Sequence, residues 1–414
     1  MAPDASGTER FAHSIESRAS WVAAGVTLAI LSVSYGAPLL VAVGLKPIAA
    51  DLGASRSVLA LAGSLTWMGS GIGGVLMGWV ADRTGVRVTA AFGAVMMALG
   101  LALSSTGHIW ALYVGHFLLI GVFGNGAIYA PLVIHVSRWF DRRRGTALAL
   151  ISSGQYVAGV VWPAVFERGF DRFGWRATML AFAGVVLLAI VPVATLCLRP
   201  APDAPRPGRS GRARHAPAVL GLRPNVLQAT LCFAAFLCCV PMAMPASHIV
   251  AFCSDLGIAP EQGAAMLSVL LGCAFFSRQF WGWLADRVGG LAAVMVGSAC
   301  QTLAIWAFLL TQDEIGLFAV AGAFGFGFSG IIPAYVLAIR EFFPSAEASW
   351  RVPMLLLWGM GGMAFGSWLA GALYDHFGFY APAFATGGAF NVANLVVIGL
   401  LLLRQGPTRG VQLA

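Results

Sequence analysis

Lysine is almost missing from this chain: Lys46 is the only one in 414 residues. The ATP-binding loop GxxxxGK[ST] needs a lysine to reach the nucleotide phosphates, and Lys46 lies in no such loop, which argues against direct ATP drive. Charge of either sign is scarce as well. Only 10% of residues are charged while 59% are hydrophobic, more apolar surface than a soluble protein could hide. The seven cysteines, Cys197, Cys232, Cys238, Cys239, Cys253, Cys273 and Cys300, show no CxxC or metal-ligand spacing and read as small buried residues. No clustered His/Asp/Glu set has acid–base or ligand spacing, which argues against an integral-membrane enzyme and for no cofactor. Residues 1–20 carry Asp4, Glu9, Arg10, Glu16 and Arg18 and no apolar stretch, so they are no cleavable signal peptide.

What the chain does have is length of apolar run. Stretches of about 20 apolar residues, enough to cross about 30 Å of hydrocarbon as a helix, recur near 21–45, 57–80, 88–106, 109–137, 145–167, 176–198, 225–253, 263–284, 291–311, 315–341, 352–373 and 380–403. They predict an all-α membrane protein with twelve transmembrane helices in two six-helix halves, 21–198 and 225–403. Residues 1–20 and 404–414 are short tails, and 199–224, containing RPAPDAPRPGRSGRARHAP, reads as a flexible linker.

Basic residues accumulate on the cytoplasmic side of membrane proteins. With both termini inside, the inner segments hold 19 of the 25 Lys and Arg, the outer loops hold five (Lys46, Arg56, Arg168, Arg172, Arg176), and Arg278 is left in the membrane. The expected location is the cell inner (plasma) membrane, with both termini and the linker cytoplasmic. The net charge of +8 then reports topology and contact with anionic head groups of the lipid bilayer, not nucleic acid.

Two stretches formally match the dinucleotide fingerprint GxGxxG: Gly69 to Gly74 in the second span and Gly325 to Gly330 in the tenth. Neither follows a strand in a βαβ unit, so both are read as small-residue faces that let helices approach closely. A second pattern is specific. Gly78-Trp-Val-Ala-Asp82-Arg83-Thr-Gly85 nearly recurs 204 positions later as Gly282-Trp-Leu-Ala-Asp286-Arg287-Val-Gly289, at the inner ends of the second and eighth spans. Asp82, Arg83, Asp286 and Arg287 are candidate gating residues, pairing across the inner gap when it closes and releasing when it opens. Read more plainly, Arg83, Arg87 and Arg287 only satisfy the basic-inside bias.

The repeat is not perfect, because Gly74 in the first copy corresponds to Arg278 in the second. An arginine inside a spanning helix costs roughly 2.5–3.5 kcal/mol on insertion scales, so it normally faces a cavity or a partner. No acid stands at 274, 275, 281 or 282 to serve as that partner one turn away. A guanidinium fork matches a carboxylate, so an anion is the expected ligand. The competing reading has Arg278, six residues before Leu284, snorkelling to the inner surface. Other polar groups in the spans could complete a binding site: Tyr35, Asn125, Tyr129, Gln155, Tyr156, His248 and Tyr335, with Trp67 and Trp358 as apolar walls. Each alone also reads as an interhelical hydrogen bond or a packing residue. A proton path could use His248, His116 or His135, of which His248, after Pro241 and Pro245, lies nearest the outer mouth.

The duplicated GWVADRTG and GWLADRVG, the twelve spans and the basic central linker resemble the major facilitator superfamily across the whole chain. Its monocarboxylate transporter branch is resembled by Tyr35-Gly-Ala-Pro38, Arg138-Trp-Phe-Asp-Arg-Arg-Arg144, Gly174-Trp175-Arg176, Arg278, and Gly371-Ala-Leu-Tyr374-Asp375-His-Phe-Gly378-Phe-Tyr380. The resemblance implies a transporter of small organic anions whose eighth-helix arginine binds the substrate carboxylate, with the fourth, fifth and tenth helices facing the cavity; Tyr129, Gln155 and Tyr335 rank highest on that ground. It also marks departures. Leu39 and Ala274 stand where proton-coupled animal members carry a lysine and an acid, and Met360 where the related oxalate–formate antiporters carry a second cation. The expectation is a secondary transporter of a monocarboxylate such as lactate or pyruvate, coupled to a proton or a counter-anion. An oxalate/formate-type antiporter, an exporter of apolar or cationic compounds and a non-transporting membrane sensor are the alternatives.

Overall fold

A chain in hydrocarbon must satisfy every backbone N–H and C=O internally, and this sequence does so with helices alone among the described residues. The computed structural model describes residues 16–140, 143–199 and 220–405. Residues 1–15 and 406–414 of the expected tails, 200–219 of the expected linker, and Asp141 and Arg142 lie outside the described residues.

The spans are α1 (Arg18–Val43), α2 (Arg56–Thr84), α3 (Val86–Ser104), α4 (Ile109–Ser137), a 53-residue stretch Gly145–Cys197, α7 (Pro224–Asp255), α8 (Pro260–Val288), α9 (Gly290–Ala307), α10 (Glu314–Phe342), α11 (Trp350–Phe377) and α12 (Ala381–Gln405). The 53-residue stretch is too long for one crossing at 1.5 Å per residue. It divides at Gly174, whose φ of +77° is open to glycine and breaks the helix there, into α5 (145–173) and α6 (175–197), giving twelve crossings. Helix α1 is itself interrupted at Tyr35, where the sequence Tyr-Gly-Ala-Pro reads as a break, and a short helix Leu45–Leu52 follows before α2.

α1–α6 and α7–α12 form the two halves, which meet where α2 packs on α11, α5 on α8, and the second part of α1 on α7. Both fingerprint-like glycine runs are packing faces. A Cβ on Gly69 or Gly73 would collide with backbone oxygens of Phe117 or Val122 in α4, and one on Gly325 with that of Leu270 in α8. The facing part of α4, Gly115–Asn125, is wound as a π-helix, the wider helix form often found near functional sites. α1 begins and α12 ends on one face of the molecule, the terminal face; the opposite one is the far face.

Gly73→Leu and Gly325→Leu should each cost at least about 1–3 kcal/mol, the usual range for overpacking, and lower the thermal midpoint and monodisperse yield. Gly184→Leu, where a Cβ meets nothing within 4 Å, should change neither; all three are read by gel filtration and thermal unfolding.

Candidate transport site

Leu271 and Arg278 stand seven positions apart on α8, two helical turns, so both point from the same face about 10 Å apart along the axis. Leu271 lines a central cavity at the meeting of the halves, with about 100 Å³ of space for the centres of water-sized molecules, several times what one water needs. Arg278 is half-buried. Its Nε and Nη1 are buried and have no hydrogen-bond partner among the described residues. The guanidinium carbon lies 5.0 Å from the centre of the Tyr156 ring, a cation–π contact that attracts the charge but fills no hydrogen bond. Tyr156 in turn lines the cavity and meets Phe328 of α10 edge to face at 6.2 Å.

The interrupted α1 supplies the next residues. The break at Tyr35 sets its ring into the cavity wall, edge to face with Tyr129 of α4 at 5.9 Å. The Tyr129 hydroxyl is 3.5 Å from Ser152 Oγ, a contact at the limit of a hydrogen bond. Gln155 and Trp67 also line the cavity. Tyr35, Gln155 and Tyr156 therefore line one space, which Arg278 adjoins through Tyr156 and Tyr129 through Tyr35 without either lining it, and no charged residue is among those that do. No group of three His, Cys, Asp or Glu among the described residues could hold a metal ion.

Three expected cavity residues are placed elsewhere. Tyr335 is fully buried in the second half, its hydroxyl donating to Asn394 Oδ1 at 2.6 Å, in a polar core where Asn391 Nδ2 donates to the Ser298 carbonyl at 2.9 Å. The reason is local. α10 is interrupted at Ser329–Gly330, between Phe328, which faces the cavity, and Tyr335. Asn125 accepts from Ser34 Oγ at 2.6 Å and ties α4 to α1 inside the first half. Trp358 is 45% exposed and packs on Phe236, outside the cavity lining.

On the terminal face, Asp82 pairs with Arg138 of its own half at 3.1 Å, Arg83 stacks on Trp79 and Arg287 on Trp283, and Asp286 is exposed. None of these contacts crosses between halves. The hydrogen bonds and ion pairs found between halves among the described residues lie on the far face, and sequence reasoning misses them. Arg56, at the start of α2, donates through Nη1 and Nη2 to both carboxylate oxygens of Asp255 at the end of α7, the second at 2.7 Å. It also donates to the Tyr380 hydroxyl at 3.0 Å and lies 3.7 Å over the Tyr374 ring. Lys46 is 3.3 Å from Asp255. Asp375 of α11 accepts from the backbone N–H groups of Arg56 and Ser57, at 3.0 and 2.9 Å, capping the first turn of α2 from the other half. The available signal was that cations are rare at the far-face ends of the spans, and those of Lys46 and Arg56 face acids at the ends of α7 and α11.

His248 joins this cluster to the cavity. Its Nε2 is 2.8 Å from the Ser367 carbonyl, which can only accept, so Nε2 carries a hydrogen; Nδ1, 3.0 Å from the Tyr380 hydroxyl, then accepts in the neutral ring. Ser367 lines the cavity.

A family model, Major Facilitator Superfamily, matches the chain over residues 22–348 and 231–414. The chain is similar to MFS transporter asaE of Aspergillus flavus, 26% identical over 338 residues, spanning 79% of this chain and 74% of that protein. It is also similar to monocarboxylate transporter 11 of Homo sapiens, 27% identical over 407 residues, spanning 92% and 82%. Among solved structures, a mutant peptide transporter, POT, in complex with sulfate superposes with a TM-score of 0.71 at 15% identity, over 92% of this chain and 94% of that one, a likeness of fold.

Charge-assisted bonds of this kind are worth about 1.5–3 kcal/mol each. Arg56→Gln should therefore raise the population of far-face-open molecules roughly tenfold or more, read as longer distances between spin labels at the ends of α1 and α7.

Proposed function

The chain belongs to the major facilitator superfamily, and from that premise we propose that it carries a small monocarboxylate such as lactate or pyruvate across the membrane by rocking of its two halves, with Arg278 receiving the carboxylate. It is a multi-pass membrane transporter, not an enzyme. The observation that carries the substrate reading is the pair of buried, unpartnered nitrogens on Arg278 beside the cavity. A guanidinium left so offers strong donors to an incoming acid and nothing to a cation. A single cation beside an otherwise uncharged wall balances one carboxylate and not two. An exporter of cations would need an acid in that wall, and the lining contains none.

The cycle follows from the two faces. With the Arg56–Asp255 cluster closed, the cavity is reached from the terminal face, which we take as the cytoplasmic side of an inner (plasma) membrane because the basic residues crowd it. For the alternate state the far cluster opens, and Asp82, Arg83, Asp286 and Arg287 make the closing contacts on the terminal face. Coupling, in this proposal, is to a proton on His248 in preference to a counter-anion. A protonated ring donates from both nitrogens, so the Tyr380 hydroxyl must turn to accept from Nδ1 while it also accepts from Arg56 Nη1. The new charge also meets the repulsion of Arg56, offset in part by Asp375. Protonation thus loosens the closed far face.

Arg278→Gln removes one partner of a buried charge pair, a loss of about 2–5 kcal/mol, so uptake of labelled lactate or pyruvate into proteoliposomes should fall at least about thirtyfold; undiminished uptake sinks the role of Arg278. Wild-type uptake should quicken as external pH falls. His248→Gln, which cannot titrate, should flatten that dependence and preserve exchange of substrate at a fixed pH.

A further inference from the structure

The cavity meets α8 at Leu271, about 10 Å of helix toward the far face from Arg278, which adjoins it through Tyr156. The wall on the way is apolar: Trp67, Phe328, Leu271, Leu45 and Met242 come from five different helical segments. Polar side chains are few there. Gln155 stands beside Tyr156 at the Arg278 end, and Ser247 and Ser367 lie toward the far-face cluster. On α2 the lining positions 60, 63 and 67 share one helix face, and a Cβ on Gly63 would meet nothing within 4 Å, so this glycine opens onto empty space.

A short acid held at Arg278 would leave that chamber to water against hydrocarbon walls. We propose that the substrate of this site is a monocarboxylate with an apolar body the size of an aromatic ring, its carboxylate on Arg278 and its ring between Trp67, Leu271 and Phe328. The inference rests on the reading that Arg278 binds an acid, and it moves the preferred substrate away from lactate and pyruvate. Recognition is then divided. The guanidinium selects the charge, and the chamber selects the body by removing its apolar surface from water.

The test compares two acids with the same 2-oxo-acid head, pyruvate and phenylpyruvate, and the neutral phenylacetamide, by thermal stabilisation of the purified full-length protein across a concentration series. The expected result is an apparent Kd for phenylpyruvate at least about tenfold below that for pyruvate, given the area of a buried ring. Gly63→Leu should abolish the advantage, and Trp67→Ala should reduce it severalfold. Equal or tighter binding of pyruvate, lost in Arg278→Gln, overturns the ring-bearing substrate and leaves the anion reading standing. Phenylacetamide binding as well as phenylpyruvate, with Arg278→Gln unchanged, overturns the anion reading and this inference with it. Absence of binding by either acid overturns both.

Discussion

A guanidinium inside a bilayer must be paired or hydrated, and at Arg278 no described residue supplies a hydrogen-bond partner to Nε or Nη1. The surrounding architecture keeps that charge reachable and little else polar. Tyr156 stabilises it from the ring face without occupying its donors. The break in α1 turns Tyr35 inward, the π-helical stretch of α4 precedes Tyr129, and the apolar faces of α2, α7 and α8 close the remaining wall. Asymmetry between the halves follows from the same residue. Both copies of the repeat contain Asp-Arg, and only the second carries a cation one turn before its first glycine.

The far-face cluster is the complement of that site. Arg56 and Asp255 are linked by a double hydrogen bond, Asp375 caps α2 from the opposite half, and His248 connects the cluster to a carbonyl of the cavity wall. Such a clasp is built from contacts that are individually worth only a few kcal/mol. That is the scale on which a ligand or a proton can shift a two-state equilibrium, and a transporter needs both of its closed faces to remain reversible.

Much of this was legible in the sequence, because hydrocarbon imposes simple rules. Apolar run length located all twelve crossings, with Gly174 marking the division between α5 and α6, and the missing βα context turned two dinucleotide-like glycine runs into packing faces. Tyr35, Gln155, Tyr156 and Trp67, all legible as polar or aromatic groups within the spans, line the cavity. What the sequence hid was direction and distance. Tyr335 sits beyond an interruption at Ser329–Gly330, and a helical wheel drawn through that break faces it the wrong way. The clasp joins residues 199 and 319 positions apart, and nothing local to Arg56, Asp255 or Asp375 announces the pairing.

The central claim is that Arg278 is unpartnered because an anionic substrate completes it. The most direct measurement is a structure of the full-length protein with a carboxylate substrate held in the cavity. The account predicts the carboxylate oxygens within hydrogen-bond distance of the Arg278 guanidinium, with Tyr156 still beneath it. A carboxylate bound elsewhere, with Arg278 paired to an acidic residue of the protein or turned to the terminal face, would contradict it.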